Sequence, residues 1–183
     1  GAGKVRRLQQ FDGQTGIACG ILATPHTWFV AHAIQAALAR AGMAAQIVQE
    51  SQGDYPLDLY FVVCPQMFKR LPPGEKRIAF QMEQSVSSRW FTPDYLSMLE
   101  NSLAVLDYAR TNLANLAGYG IKYPNVFYAP IGGIADYVTW GGAEPVQADE
   151  ECDVLFYGDV NVPRRRRLLD AIGRRFQLRV VGN

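Results

Sequence analysis

Histidine and cysteine, the side chains that most often bind zinc and other transition metals, are scarce in this 183-residue chain, with two and three copies. No two cysteines have the close spacing of a zinc site, and the motif His-Glu-x-x-His is missing. The three cysteines are far apart, and two of them lie in apolar runs typical of buried strands: Cys19, Cys64 and Cys152. We therefore expect no metal, no disulfide and a reduced, cytoplasmic setting.

Long apolar runs and a large net charge are missing too. No run approaches the ~20 apolar residues that cross a bilayer, and the formal net charge is only +1. The one basic run, 164–167, is too short to indicate nucleic acid and fits a small anionic ligand better. We expect no transmembrane segment and no nucleic-acid partner, whereas a peripheral membrane contact stays open.

Apolar, strand-like runs alternate with helical patterns along the chain, which is the order typical of parallel βαβ units. This alternation predicts an α/β fold in which a Rossmann-like parallel sheet carries helices on both faces. The predicted strands are 17–22, 45–48, 57–64, 77–82, 103–106 and 125–129, and the predicted helices are about 29–41, 90–101 and a short one that ends near 118. Asp107 and either Thr111 or Asn112 are predicted to cap this last helix.

A second unit follows a stretch without periodicity. Residues 135–151 contain Gly141-Gly142, Pro145 and three consecutive acids, as expected of a linker. A strand at 153–157, a helix at 163–175 and a strand at 177–181 then form an isolated βαβ unit, which is too small to enclose its own core. We expect one domain over 1–147, including the linker from about 135, and the first βαβ of a second domain over 148–183.

Two polar side chains are predicted at the carboxyl ends of strands, where open parallel sheets bind their ligands. His26 follows the first strand at the start of a helix, and a neutral imidazole there can act as a general base toward a hydroxyl group. Glu83 follows the fourth strand beside Gln84 and Ser85, where a carboxylate can bind a polyol or accept a proton. An exposed histidine without a role and a solvated turn are the alternatives that stay open.

The loop that opens the second unit is the predicted anion site. A glycine there allows close backbone approach, and a helix start offers unpaired N–H groups to an anion. Arginines in a first helical turn oppose the helix dipole, and a bound anion would relieve this. The predicted binding residues are Gly158, Asp159, Asn161, Arg164 and Arg165. Arginines on a solvated face are the alternative, and the loop has neither a G-x-G-x-x-G pattern nor a P-loop.

Four stretches in this order resemble bacterial glycosyltransferases of the GT-B type, which have two facing Rossmann-like domains. They are residues 78–84, residues 105–108 with 111–112, residues 126–132, and residues 153–158 with 163–166, so the resemblance covers about 58–181. It implies transfer of a sugar from a nucleotide-sugar donor to a saccharide, lipid-linked or protein acceptor, without a metal or a separate cofactor. In that reading residues 1–147 face the acceptor, His26 or Glu83 is the base, and the loop at 158–165 belongs to the donor side.

The resemblance also implies a longer parent protein. The later elements that grip the donor nucleotide in such enzymes have no counterpart in these residues, so we expect the chain to be inactive by itself. Apolar positions of the last helix, such as Leu168, Leu169 and Ile172, leave dimerisation or a swap of 152–183 open. A nucleotide-sugar epimerase and a non-catalytic sugar-phosphate-binding or regulatory domain are the alternative functions.

Overall fold

A computed structural model gives the fold of the chain. It describes residues 8–9, 11–50, 54–85, 89–122, 124–133 and 152–182. The chain divides into two compact units, Gly1–Tyr137 and Val138–Asn183. The predicted linker at 135–151 and the predicted domain boundary at 147 lie outside the described residues.

Six parallel strands form the sheet of the first unit, in the order β2-β1-β3-β4-β5-β6. The strands are β1 (Cys19–Leu22), β2 (Ala45–Val48), β3 (Leu59–Val63), β4 (Arg77–Gln81), β5 (Ala104–Asp107) and β6 (Val126–Tyr128). The predicted α/β fold with a Rossmann-like parallel sheet is thus confirmed. β5 begins and ends one residue later than predicted, which places Asp107 inside the strand.

Three helices belong to this unit: α1 (Trp28–Arg40), α2 (Pro93–Asn101) and α3 (Arg110–Gly118). The hydroxyl of Thr92 caps α2 by accepting a hydrogen bond from the Tyr95 N–H at 3.2 Å. The prediction that Thr111 or Asn112 caps α3 is wrong. Ala109 holds the N-cap position, and Asn112 is the third residue of the helix.

The core of the first unit covers both faces of the sheet, because alternate residues of each strand point to opposite sides. Ile21, Phe61 and Phe80 pack on the side of α1, and Ala79 and Val105 pack on the other side. α2 and α3 contribute buried side chains to that second side, namely Tyr95, Leu99 and Leu116. Strands that are apolar on both faces are typical of buried parallel sheets. Polar side chains with a function are therefore expected where the strands end.

The second unit contains β7 (Val154–Tyr157), α4 (Pro163–Gly173) and β8 (Leu178–Val181). β7 and β8 pair in parallel, as predicted for a βαβ unit. Apolar side chains stay open to solvent here: Leu155 is 62% exposed and Tyr157 is 80% exposed. The dimerisation or segment swap expected from such side chains stays a prediction. In the described parts of both units, no helix has both the length and the apolar character that spanning a membrane requires.

Candidate functional site at the carboxyl edge of the sheet

The strand order places a topological switch point at the carboxyl edge of the six-stranded sheet. From β1 the chain moves to β2 on one side, whereas β3 lies on the other side of β1. The loops after β1 and β3 therefore lead apart, and such a switch point is where open α/β sheets bind ligands. His26 follows β1, Gln66 follows β3 and Glu83 follows β4. We call these three residues the carboxyl-edge site; neighbouring strands are ~4.8 Å apart, so β1 and β4 end about 10 Å from each other.

His26 lies in a short 3-10 turn, Pro25–Thr27, which joins β1 to α1. The backbone N–H of Thr27 and its hydroxyl both donate to the Thr24 carbonyl, at 2.9 and 3.0 Å, and this fixes the turn. The exposed His26 ring has Nδ1 3.1 Å from the Thr24 hydroxyl oxygen. If Nδ1 carries the proton and donates to that oxygen, Nε2 has a lone pair with which it can accept a proton from a ligand.

Glu83 is bound by a residue that was not predicted. β3 ends at Val63, the next residue Cys64 has a left-handed backbone with φ +54°, and Pro65 then begins the 3-10 turn Pro65–Met67. This turn brings Gln66 to Glu83, and the Gln66 side-chain N–H donates to Glu83 Oε1 at 2.8 Å. The sequence signal for Gln66 is its place directly after the proline that ends a buried strand at the same edge.

Burial and charge decide which of the neighbouring groups can act as a base. Burial raises the pKa of the Cys64 thiol to about 11, and the charge of Glu83 adds to this effect. Burial also raises the pKa of Tyr95 and of Tyr108, and nearby acidic groups that include Glu83 raise both further. A thiol and phenols of this kind stay protonated at neutral pH, so none of these three groups is a base there.

Three buried polar side chains lie next to Glu83: Gln81, Asp107 and Asn112. We call these three residues the buried polar network. They are 0%, 0% and 3% exposed. Asp107 accepts hydrogen bonds from the Gln81 side chain at 2.8 Å, from the Asn112 side chain at 3.1 Å and from the Ala109 N–H at 2.8 Å. Burial raises the pKa of Asp107, and these three hydrogen bonds oppose that rise.

The network also corrects the predicted role of Asn112. Its amide does not cap α3, because its nitrogen donates to the Glu83 carbonyl at 2.8 Å and its oxygen accepts from the Ser85 N–H at 3.0 Å. Asp107 does contact the start of α3 through the Ala109 N–H, although it is the last residue of β5 rather than the N-cap. These two partners of Asn112, in the loop after β4, lie 27 or more positions earlier in the chain.

In the second unit, the residues of the predicted anion site lie together in one loop. The Asp159 carboxylate accepts from the Asn161 N–H at 2.8 Å, and the Arg165 guanidinium donates to the Asp159 carbonyl at 3.0 Å. Gly158, with φ +145°, uses its N–H for the Val181 carbonyl at 2.9 Å. This N–H therefore joins β7 to β8 and does not serve an anion.

The start of α4 leaves donors for a ligand. The first main-chain hydrogen bond of the helix runs from the Arg166 N–H to the Val162 carbonyl at 3.1 Å, so the N–H groups of Arg164 and Arg165 precede it. Arg164 is exposed, and its side chain has no hydrogen bond or ion pair with any residue that the structure describes. These donors and the helix start fit a small anion.

Two cavities of the first unit lie away from the carboxyl-edge site. One of about 610 Å³ lies at the opposite edge of the sheet, beside Thr15, Asp58 and Lys76. The other, of about 360 Å³, is apolar and lies between α1 and the sheet, beside Ile34 and Phe80. Within the described ranges, no group of three or more His, Cys, Asp or Glu side chains is arranged to hold a metal ion.

Comparisons with known proteins give no assignment: no family model matches the chain, and no curated protein matches it.

Proposed function

We propose that the chain is part of a GT-B-type glycosyltransferase and that its carboxyl-edge site binds the hydroxyl-bearing acceptor. The observation that supports this most is the Glu83 carboxylate, which Gln66 holds beside the switch point of a parallel sheet. A carboxylate and an exposed imidazole at such an edge suit a ligand with several hydroxyl groups, since both can accept hydrogen bonds from them.

The proposed reaction is a displacement at the anomeric carbon of a nucleotide-sugar. Glu83 takes the proton of the acceptor hydroxyl as its oxygen forms the new bond to that carbon, with His26 as the other candidate base. The bond between the anomeric carbon and the diphosphate breaks at the same time, and the diphosphate leaves with the bonding electrons. Positive groups near the leaving oxygen stabilise the charge that develops there.

The loop of the second unit is the proposed site for the donor diphosphate. Its support is the start of α4 together with Arg164, which is exposed and has no partner among the described residues. Gly158, Asp159 and Asn161 shape the loop, and the Arg165 side chain braces it. We therefore propose that the diphosphate is contacted directly by the N–H groups of Arg164 and Arg165 and by the Arg164 side chain.

Isothermal titration calorimetry with UDP, GDP and ADP tests the donor part. We expect the double variant Arg164→Ala/Arg165→Ala to weaken nucleotide binding roughly tenfold or more, because Arg164 loses a charge-assisted hydrogen bond of about 1.5–3 kcal/mol to the diphosphate and Arg165 loses the bond that braces the loop. The matched control Arg174→Ala/Arg175→Ala removes the same charge from exposed positions at the other end of α4. An equal loss of nucleotide affinity in both variants would mean that only the net charge matters, and it would contradict a diphosphate site at the loop.

Saturation-transfer NMR with a panel of mono- and disaccharides tests the acceptor part. Glu83→Ala should remove the transfer signal, because the carboxylate and its bond to Gln66 are lost. Glu83→Gln should retain part of it, because an amide oxygen can still accept from Gln66. Conversion of a nucleotide-sugar without any acceptor would instead favour an epimerase, and nucleotide binding with no saccharide binding would favour a non-catalytic module.

A further inference from the structure

The main chain of Glu83 is held by two buried amides from different elements. The side-chain nitrogens of Gln81 and Asn112 both donate to the Glu83 carbonyl at 2.8 Å. The Gln81 oxygen also accepts from the Glu83 N–H. The N–H and the carbonyl of this loop residue are thus both satisfied by side chains. In helices and strands, main-chain partners satisfy these groups.

Asn112 fixes the far end of the same turn. Its oxygen accepts from the Ser85 N–H at 3.0 Å and from the Ser85 hydroxyl at 2.9 Å, while its nitrogen serves Glu83. The Asn112 side chain, in the first turn of α3, therefore joins this helix to the loop after β4 at Glu83 and at Ser85. A displacement of the Glu83 main chain would strain or break at least one of these part-buried hydrogen bonds.

Asp107 sets the orientation of both amides. One Asp107 oxygen accepts a hydrogen bond from the Gln81 NH2 group and the other accepts one from the Asn112 NH2 group, so both amides turn these groups toward Asp107. Their oxygens then face the N–H groups of the turn, and no other assignment of the two amides satisfies all partners. A buried network of this kind is rigid only when every member is satisfied, and this one is satisfied on all three side chains.

We infer that Gln81 and Asn112 are positioning residues, which fix the main chain of Glu83 so that its carboxylate stays at Gln66, beside the switch point of the sheet. The alternative is a purely structural role, in which the network only attaches α3 to the sheet. The two roles differ in what happens at Gln66, which touches neither Gln81 nor Asn112 in any hydrogen bond of the described residues. The functional meaning of the inference rests on the proposed role of Glu83.

The test is Asn112→Ala in the full chain, read by NMR at the side-chain NH2 of Gln66. We expect this resonance to move toward the position of an unbonded amide, and we expect amide exchange at Glu83 and Ser85 to accelerate on the order of tenfold, as for the loss of one hydrogen bond. Leu116→Ala is the matched control, because it loosens the same helix by removing a fully buried side chain that is no part of the network. An unchanged Gln66 signal in Asn112→Ala, or an equal change in Leu116→Ala, would overturn the inference.

A measurement on the unaltered chain covers the case in which Asn112→Ala does not fold. The N–H groups of Glu83 and Ser85 lie in a loop, yet they should exchange more slowly than exposed loop amides such as Gly132. Exchange at the unprotected rate would overturn the inference without any variant. Both readouts are independent of ligands, so a failure of saccharide binding would count against the proposed function alone.

Discussion

The substitution Asp107→Asn tests the buried polar network with almost no change in shape. All three groups around the carboxylate are donors: the Ala109 N–H and the side-chain nitrogens of Gln81 and Asn112. An asparagine at this position keeps one acceptor oxygen and puts an NH2 group where the other stood. In its better orientation this NH2 faces the Gln81 nitrogen, so that two buried donors oppose each other.

The side chains around residue 107 cannot rearrange to accommodate the asparagine without losing hydrogen bonds. Gln81 would have to turn its amide over, but its oxygen already accepts from the Glu83 N–H and, at 3.3 Å, from the Tyr95 hydroxyl. Two buried donors thus lose their acceptor, and each unsatisfied buried donor costs about 1–3 kcal/mol. Part of this is offset, because burial disfavours the ionised form of Asp107 and the substitution removes that charge. We expect a net loss of about 2 kcal/mol in the free energy of unfolding.

Urea unfolding at pH 7, followed by tryptophan fluorescence, measures the loss. With a slope near 2 kcal/mol per molar urea, the midpoint should fall by about 1 M. Asp58→Asn is the control, since exposed Asp58 accepts from the Ala18 N–H at 2.9 Å and an amide oxygen can keep that bond. The reasoning is refuted if Asp107→Asn unfolds at the same urea concentration as the unaltered chain, or if Asp58→Asn loses as much.

Two further predictions concern Gly74 and Cys64. A Cβ on Gly74 would overlap the carbonyl oxygen of Asn101, so Gly74→Ala should lower the thermal unfolding midpoint. The control Gly118→Ala should not lower it, because no atom lies near a Cβ at that position. Equal midpoints for the two variants would contradict the close packing at Gly74. The pKa of Cys64 lies above its ordinary value of 9.0, at about 11, so the folded state binds this proton more tightly and the resulting stability is lost as pH rises from 9 to 11. Urea unfolding at both pH values should show the unaltered chain losing on the order of 2 kcal/mol more than Cys64→Ala, and equal losses would contradict the burial of the thiol.

Much of the fold is predictable because its signals are local. The apolar runs at 17–22 and 77–82 and the glycine at 42 indicate strands and a helix end without knowledge of their neighbours, and the structure has β1, β4 and the end of α1 there. The positions of His26 and Glu83 after β1 and β4 follow from the same local patterns.

The contacts of the site are not local, and this is why they were missed. Gln66 meets Glu83 because β3 lies next to β4, and the sequence pattern gives no order of strands in the sheet. Asn112 looks like a helix cap because its type and place suit one. Besides Asp107, its partners lie at residues 83 and 85, and a choice between a cap and a contact 27 to 29 positions away requires the tertiary structure.

The claim that the carboxyl-edge site binds a saccharide is tested most directly by chemical-shift mapping. The ¹⁵N-labelled chain is titrated with the saccharides that give a saturation-transfer signal, and the shifts of assigned amides are followed. We expect saturable shifts at His26, Gln66 and Glu83. Shifts confined to the opposite edge, around Asp58 and Lys76, or no saturable shift with a dissociation constant below about 10 mM, would contradict it.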